Sequence, residues 1–471
     1  MILWKQTHFL VTSKGLPPEL EFLVKDLWTL RLQNLAYRVD DEVDGDNDTQ
    51  SQMFSSQSEG ETDTDGERSI RKSLKKDSTP KLRETLALCY LGMVLLRLPY
   101  TPGDISRWAS KGELLYHRSI VQLPKEMREQ LPGAYQEALD PRALLKAGHV
   151  RESVGQLVIL FKRDFGMSFP PLNRPLLTFR YINTLSLPLD VYMGMTRLME
   201  KLDFALEYPK DISKRLDVIA LPEAQLAAMV IIATKLLYPF DEFYRYPTTP
   251  AEPAATLFSW EIWSQTLSNS AEASQSAAAA PAKLSFEQAM KIEDKDVFAM
   301  SEKELDNYLD FYEQTWMEGD PKGQGKERDF QEALFRMFPT NKAKSLVNPS
   351  TSSSGQEGEA IDPKSESAKI VEIISAMQPQ RAVTEEQAEK VEEPVLRPGN
   401  RYQRHRDMST VLGFEKLFYE EVARLTGMSV ISLVKAVFLT ELRIQRRNAY
   451  KGGVPENASL TTTDDEDYDE L

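Results

Sequence analysis

A single cysteine, Cys89, and four histidines, His8, His117, His149 and His405, are all that the 471 residues offer to thiol or imidazole chemistry. One thiol cannot form an internal disulfide. A structural zinc site takes four ligands, typically Cys and His in close pairs. No such pairs occur, so no metal and no other cofactor is expected. Cys89 sits inside the apolar run LALCYLGMVLL and reads as a core thiol, not a nucleophile. Catalytic signatures are missing too: there is no GxxxxGK[ST] loop, no GxSxG and no HExxH. The Gly-rich GQGKE at Gly323 lies in a polar stretch, so an enzyme is not expected. No run reaches the ~18 consecutive apolar residues of a membrane-crossing helix. The opening MILWKQTHFLV lacks the positive start, long apolar stretch and small-residue cleavage site of a signal peptide. No membrane partner is expected.

Basic charge is in the minority, with 57 Lys and Arg against 72 Asp and Glu and a net charge of -15. The acid is concentrated in residues 40–48 (DDEVDGDND) and 464–470 (DDEDYDE), blocks of a kind that is usually solvated. The remaining body is far less acidic, so a pI of about 5.0 does not exclude DNA. Two basic runs stand out. Residues 68–83 hold Arg68, Arg71, Lys72, Lys75, Lys76, Lys81 and Arg83 against one acid, Asp77. Such a run can neutralise phosphates or direct nuclear import; its plainer reading is a solvated linker that balances the neighbouring acids. Residues 397–406, RPGNRYQRHR, hold Arg397, Arg401, Arg404 and Arg406 with a tyrosine and no acid. They read as a second phosphate-binding arm.

Hydrophobic residues make up 41% of the chain, while the mean hydropathy is -0.42, so core and polar segments are separated along it. Residues of about 39–79, 247–283 and 319–408 bury too little apolar surface to offset chain entropy and are expected to be disordered. The middle one carries an aromatic island, Phe258, Trp260 and Trp263, suited to docking. The remainder shows helical periodicity and no convincing alternation, so the fold class is all-α. Thr101-Pro102-Gly103-Asp104 and Ser301-Glu302-Lys303-Glu304 are helix starts. Behind the second, Leu305, Tyr308, Leu309, Tyr312 and Trp316 form one stripe. Residues 221–241, LPEAQLAAMVIIATKLLYPFD, are apolar all round in their middle, which predicts a helix enclosed by others. At an offset of 140 residues, LALCYLGMVLLRLPY lies over LAAMVIIATKLLYPF, which points to two tandem helical units. Near the C-terminus EVARLTGMSVISLVKAV imitates a helix-turn-helix about Gly427. Its second helix is too apolar to read bases, so it is expected to be a packed hairpin or a partner-docking element. Arg443, Arg446 and Arg447 at its end suit the helix dipole or a phosphate.

The enclosed helix resembles the third helix of a cyclin box, and LSLPLDVYMGMTRLMEKL the second. The stretch YLGMVLLRLPYTPGDISRWASKGELLYHRSIVQLPKEM closely resembles the transcription factor IIB-like subunit of the RNA polymerase I core factor. KGLPPELEFLVKDLWTLRL and SEKELDNYLDFYEQTW fit the same family. The resemblance implies two tandem cyclin-like five-helix units, 1–132 with the insertion at 39–79 and 133–318 with that at 247–283. A linker, 319–408, a helical hairpin, 409–450, and an acidic tail, 451–471, would follow. It implies a nuclear and nucleolar, non-enzymatic initiation factor that binds the ribosomal DNA core promoter. Its partners would be core factor subunits with β-propeller and helical-repeat domains, the TATA-binding protein and RNA polymerase I. Family members begin with a zinc ribbon whose ligands this sequence lacks, so a chain that assembles and holds promoter DNA yet initiates poorly is expected. A cyclin-type regulatory subunit of a kinase, or a helical scaffold without DNA contact, are the competing readings.

Overall fold

The computed structural model describes residues 1–43, 80–316, 363–384 and 395–451, apart from 142–143, 203, 205, 209–219, 242, 278–285, 293 and 298–299. Thirteen longer helices carry the architecture among these residues. In the first bundle they are α1 (Ile2–Lys14), α2 (Glu19–Val43), α3 (Leu82–Leu95), α4 (Pro102–Ser110) and α5 (Ala147–Phe165). Then come α6 (Arg174–Thr184), α7 (Asp190–Leu202), α8 (Pro222–Leu237), α9 (Trp260–Ala277), α10 (Glu302–Trp316), α11 (Pro363–Ser375), α12 (Gly413–Thr426) and α13 (Val430–Lys451).

The two apolar runs become the two central helices. Side chains from Glu84 to Val94 are buried on all sides of α3, which packs against α1, α2, α4 and α5. In α8 every residue from Pro222 to Lys235 except Gln225 is buried, with α6, α7, α12 and α13 around it. The helices begin at Leu82 and Pro222, the same 140-residue offset as the apolar runs. A helix without a polar face is stable only in such a sheath, where each large apolar side chain contributes about 1.5–3 kcal/mol by leaving water.

The local start signals work as the sequence indicates. At α4 the Thr101 hydroxyl accepts from Asp104 N, and the Asp104 carboxylate accepts from Thr101 N at 2.9 Å. Ser301 and Glu304 form the same reciprocal cap ahead of α10.

Helix α5 packs on α3 and α4 of the first bundle. The structure differs from expectation in three places. The C-terminal pair is not a separate hairpin: α12 and α13 close the second bundle around α8. Residues 247–277 are folded, because Trp260 and Trp263 bury large rings that outweigh the entropy of their Ala- and Ser-rich neighbours. Trp263 Nε1 donates to Leu185 O at 2.8 Å and Trp260 Nε1 to Pro239 O at 3.1 Å. Within the expected linker 319–408, α11 packs on α6 and α9, and residues 395–408 lie on the second bundle. A two-residue antiparallel pair, Thr256–Leu257 with Gln378–Pro379, ties the intervening chain to itself. Most of the acidic insertion, the middle of the linker and the acidic tail lie outside the described residues.

Polar contacts join the bundles. Glu223 Oε1 on α8 accepts from Tyr90 OH on α3 at 2.7 Å and from Tyr208 OH at 2.5 Å. Arg180 on α6 grips Asp104 with both terminal nitrogens, at 2.6 and 2.7 Å, and lies over the Tyr100 ring. The Thr101 hydroxyl donates to Leu425 O at 2.8 Å. Beside it, α4 and the turn after α12 meet at two glycines. A Cβ on Gly103 would lie 2.6 Å from Gly427 N and 2.7 Å from Leu425 O, so only glycine permits the approach.

Candidate nucleic-acid interface

Of the first basic run, Arg68, Arg71, Lys72, Lys75 and Lys76 lie outside the described residues. Lys81 is the N-cap of α3 and Arg83 stands in its first turn, both half-buried. That end of the helix is anchored by a buried ion pair, Arg31 Nε to Glu84 at 3.0 Å.

The second run is placed in full. Arg397 is a structural staple: its Nη1 donates to Val383 O at 2.7 Å and Tyr246 O at 3.3 Å. Arg401, Arg404 and Arg406 are exposed. Arg401 lies over the Phe243 ring, 4.6 Å from its centroid. Arg404 Nη1 donates to Gln445 Oε1 on α13 at 2.5 Å, across 41 positions of sequence.

That contact sets the arm beside the last turns of α13, where the other arginines of interest stand. Successive helical residues turn by about 100°. Glu441 and Gln445 therefore face the arm, while Arg443 and Arg447 share the opposite side, with Arg446 between them. The opposite side abuts the end of α7: the Arg443 guanidinium lies 4.4 Å from the Phe204 ring centroid, and Arg447 donates to Lys201 O at 2.8 Å. Arg446 is exposed. The fold thus brings Arg404 of one sequence cluster to the helix end that carries the other, with Arg446 exposed there and Arg443 and Arg447 on the far side against α7. The sequence identifies each cluster; it holds no local signal that they meet, because the link is the tertiary packing of the arm on α13.

Beneath the arm lies a buried charge cluster. Lys235 Nζ, 6% exposed near the end of α8, stands 3.1 Å from Glu415 Oε1 and 3.7 Å from Glu441 Oε1. Burial works to raise the Glu415 carboxyl, but the His405 contact and Lys235 outweigh it and the net shift is downward. Burial dominates at Glu441 and holds its carboxyl above the usual range despite Lys235 and Tyr402. A cleft beside the cluster is lined by Lys235, Asp241, Arg245, Arg401, His405 and Glu415, among others.

Arginines of this kind can neutralise phosphates without reading bases. Among the described residues no group of three or more His, Cys, Asp or Glu is placed to hold a metal. Cys89 is fully enclosed in α3, so the residues present do not fit a zinc ribbon. Among the same residues no single helix is long and apolar enough to cross a membrane; α12 and α13 reach the composition only as a pair, and they meet at 102°.

The sequence matches the Rrn7/TAF1B N-terminal cyclin domain over residues 1–125 and the Rrn7/TAF1B C-terminal cyclin domain over residues 143–316. It is similar to the RNA polymerase I-specific transcription initiation factor rrn7 of Schizosaccharomyces pombe, with 24% identity over 286 residues, 56% of this chain and 53% of that protein. It is also similar to a TATA box-binding protein-associated factor of RNA polymerase I from Gallus gallus, with 26% identity over 198 residues, 39% of this chain and 32% of that protein. The chain thus spans about half, or less, of the curated relatives it matches. A chain in the crystal structure of the S. cerevisiae core factor at 3.2 Å resolution aligns over 96% of both chains, with 14% identity and a TM-score of 0.49. With both of its cyclin domains matched in order over most of the chain, and two helical bundles each built on an enclosed central helix, this chain belongs to the Rrn7/TAF1B family.

Proposed function

We propose that the chain is a non-catalytic subunit of the RNA polymerase I initiation machinery that holds the ribosomal DNA core promoter and helps recruit the polymerase. The single observation that carries the DNA contact is the joining of the arm to α13, which brings the exposed Arg404 to the helix end where Arg446 is also exposed. The names of the relatives supply the rest: one is an initiation factor specific to RNA polymerase I, another a factor associated with the TATA-binding protein. Its partners would then be the TATA-binding protein, RNA polymerase I and core factor subunits of β-propeller and helical-repeat type, and its place the nucleus and nucleolus. Arg68, Arg71, Lys72, Lys75, Lys76, Lys81 and Arg83 would add phosphate affinity from the stretch of sequence that leads into α3.

The test is duplex binding across a salt series. Reversing Arg404 and Arg446 to Glu should weaken binding to all sequences alike and flatten the salt slope by about 0.9 for each phosphate that is no longer neutralised. Reversing Lys72, Lys75 and Lys76 should do the same independently. Unchanged affinity and slope in the Arg404/Arg446 variant would remove this surface from the DNA interface.

A further inference from the structure

Lys235 poses a problem near the end of an enclosed and largely apolar helix. A buried ammonium costs several kcal/mol unless paired, and an apolar residue would serve bundle stability as well or better. The two carboxylates that pair with it do more than neutralise it. Glu415, in the first turn of α12, offers its other oxygen to His405 Nε2 at 3.0 Å. Glu441 Oε1, on α13, accepts from Tyr402 OH at 2.5 Å. Lys235 Nζ also lies 5.0 Å from the centroid of the Tyr402 ring. Each carboxylate therefore connects the enclosed helix to one side chain of the arm. Further along, His405 Nδ1 meets Thr410 Oγ1 at 3.0 Å, and upstream Arg245 Nε donates to Asn400 O at 2.9 Å. Within the arm burial follows the same division: Tyr402 and His405 turn inward, while Gln403, Arg404 and Arg406 are exposed.

We infer that the Lys235–Glu415–Glu441 cluster, acting through Tyr402 and His405, is the positioning centre of the arm's exposed arginines, Arg401, Arg404 and Arg406, and sets their affinity for nucleic-acid phosphate without touching phosphate. This rests on the phosphate-binding reading of Arg404 and α13. A polar arm of this composition has little apolar surface of its own to hold it in place, and ordering it at the moment of binding would cost affinity. The two inward contacts fix it beforehand, on either side of Arg404.

The experiment is fluorescence anisotropy of the full chain with a labelled DNA duplex of arbitrary sequence over a salt series. It compares four proteins: the parent, Tyr402→Phe with His405→Ala, Arg401→Ala with Arg404→Ala and Arg406→Ala, and all five changes together. The Tyr402/His405 variant should weaken binding on the order of threefold to tenfold, the cost of ordering one or two side chains. Added to the arginine variant, the same pair should cost little more, because a misplaced arm then has no exposed guanidinium left to misplace. Urea midpoints of the Tyr402/His405 variant close to the parent's separate positioning from general damage to the fold. Full additivity of the losses, or no loss in the Tyr402/His405 variant when the arginine variant is weak, would overturn the inference and leave the phosphate reading standing. Unchanged binding in the arginine variant would overturn both.

Discussion

Burial decides the chemistry of single side chains in this molecule. Cys89 is fully enclosed, and desolvation pushes its thiol up to about 12. Only the thiolate reacts readily, so a thiol reagent at pH 8 should label the native protein no faster than the first bundle opens. Rapid stoichiometric labelling in the absence of denaturant would contradict this packing. Glu415 and Glu441 share one lysine and shift in opposite directions. The folded-state Glu415 carboxyl is lowered, so its contribution to stability is present above the ordinary carboxylate range and is lost as pH falls through the lowered value. Glu441 is raised, so its contribution is present below that range and fades as pH rises through the raised value. Glu415→Gln should therefore reduce the loss of stability on the acid side. Urea midpoints collected from neutral pH down to pH 3 check this, and an unaltered acid limb would remove Glu415 from the account.

At the scale of helices, the enclosed members tolerate change least. Ala228 on α8 is fully buried, and Ala228→Leu forces extra volume between helices that already touch, at a cost of about 1–3 kcal/mol. Denaturant titration measures this directly; near-parent stability would mean that α8 has free space on that side. These helices were legible because their signals are local. The all-round apolar runs, the repeated 140-residue offset and the Thr101–Asp104 cap can each be read within a few turns of sequence. What covers α8 was not legible in the same way. The apolar face of α13 announces a buried helix, yet nothing in it names a partner so distant in the chain. The arm misled for the opposite reason: its composition is that of a solvated linker, and the two residues that fasten it, Tyr402 and His405, are a small part of it.

Across the whole molecule, the bundles are held together by a buried carboxylate shared by two phenols, a bidentate Arg180–Asp104 pair and a glycine-to-glycine approach. Desolvated, well-directed contacts of this kind are costly to break singly, so the bundles should unfold together. Scanning calorimetry should give one transition with equal calorimetric and van't Hoff enthalpies. Gly103→Ala, whose methyl group would collide with the backbone after α12, should split that transition in two. A single unshifted peak in the variant would show that the junction yields more easily than its geometry implies. The order of the helices also has a consequence for synthesis. The first bundle has all of its members once Phe165 has left the ribosome, but α8 waits for α13, hundreds of residues from the start of the message. At about 5–20 residues per second the interval lasts on the order of tens of seconds, and throughout it a greasy, alanine-lined helix has α6 and α7 on one side and nothing yet on the side that α12 and α13 will cover. A message cut short before Val430 would release that half-clothed intermediate permanently, an apt client for holding chaperones and, failing those, for the proteasome.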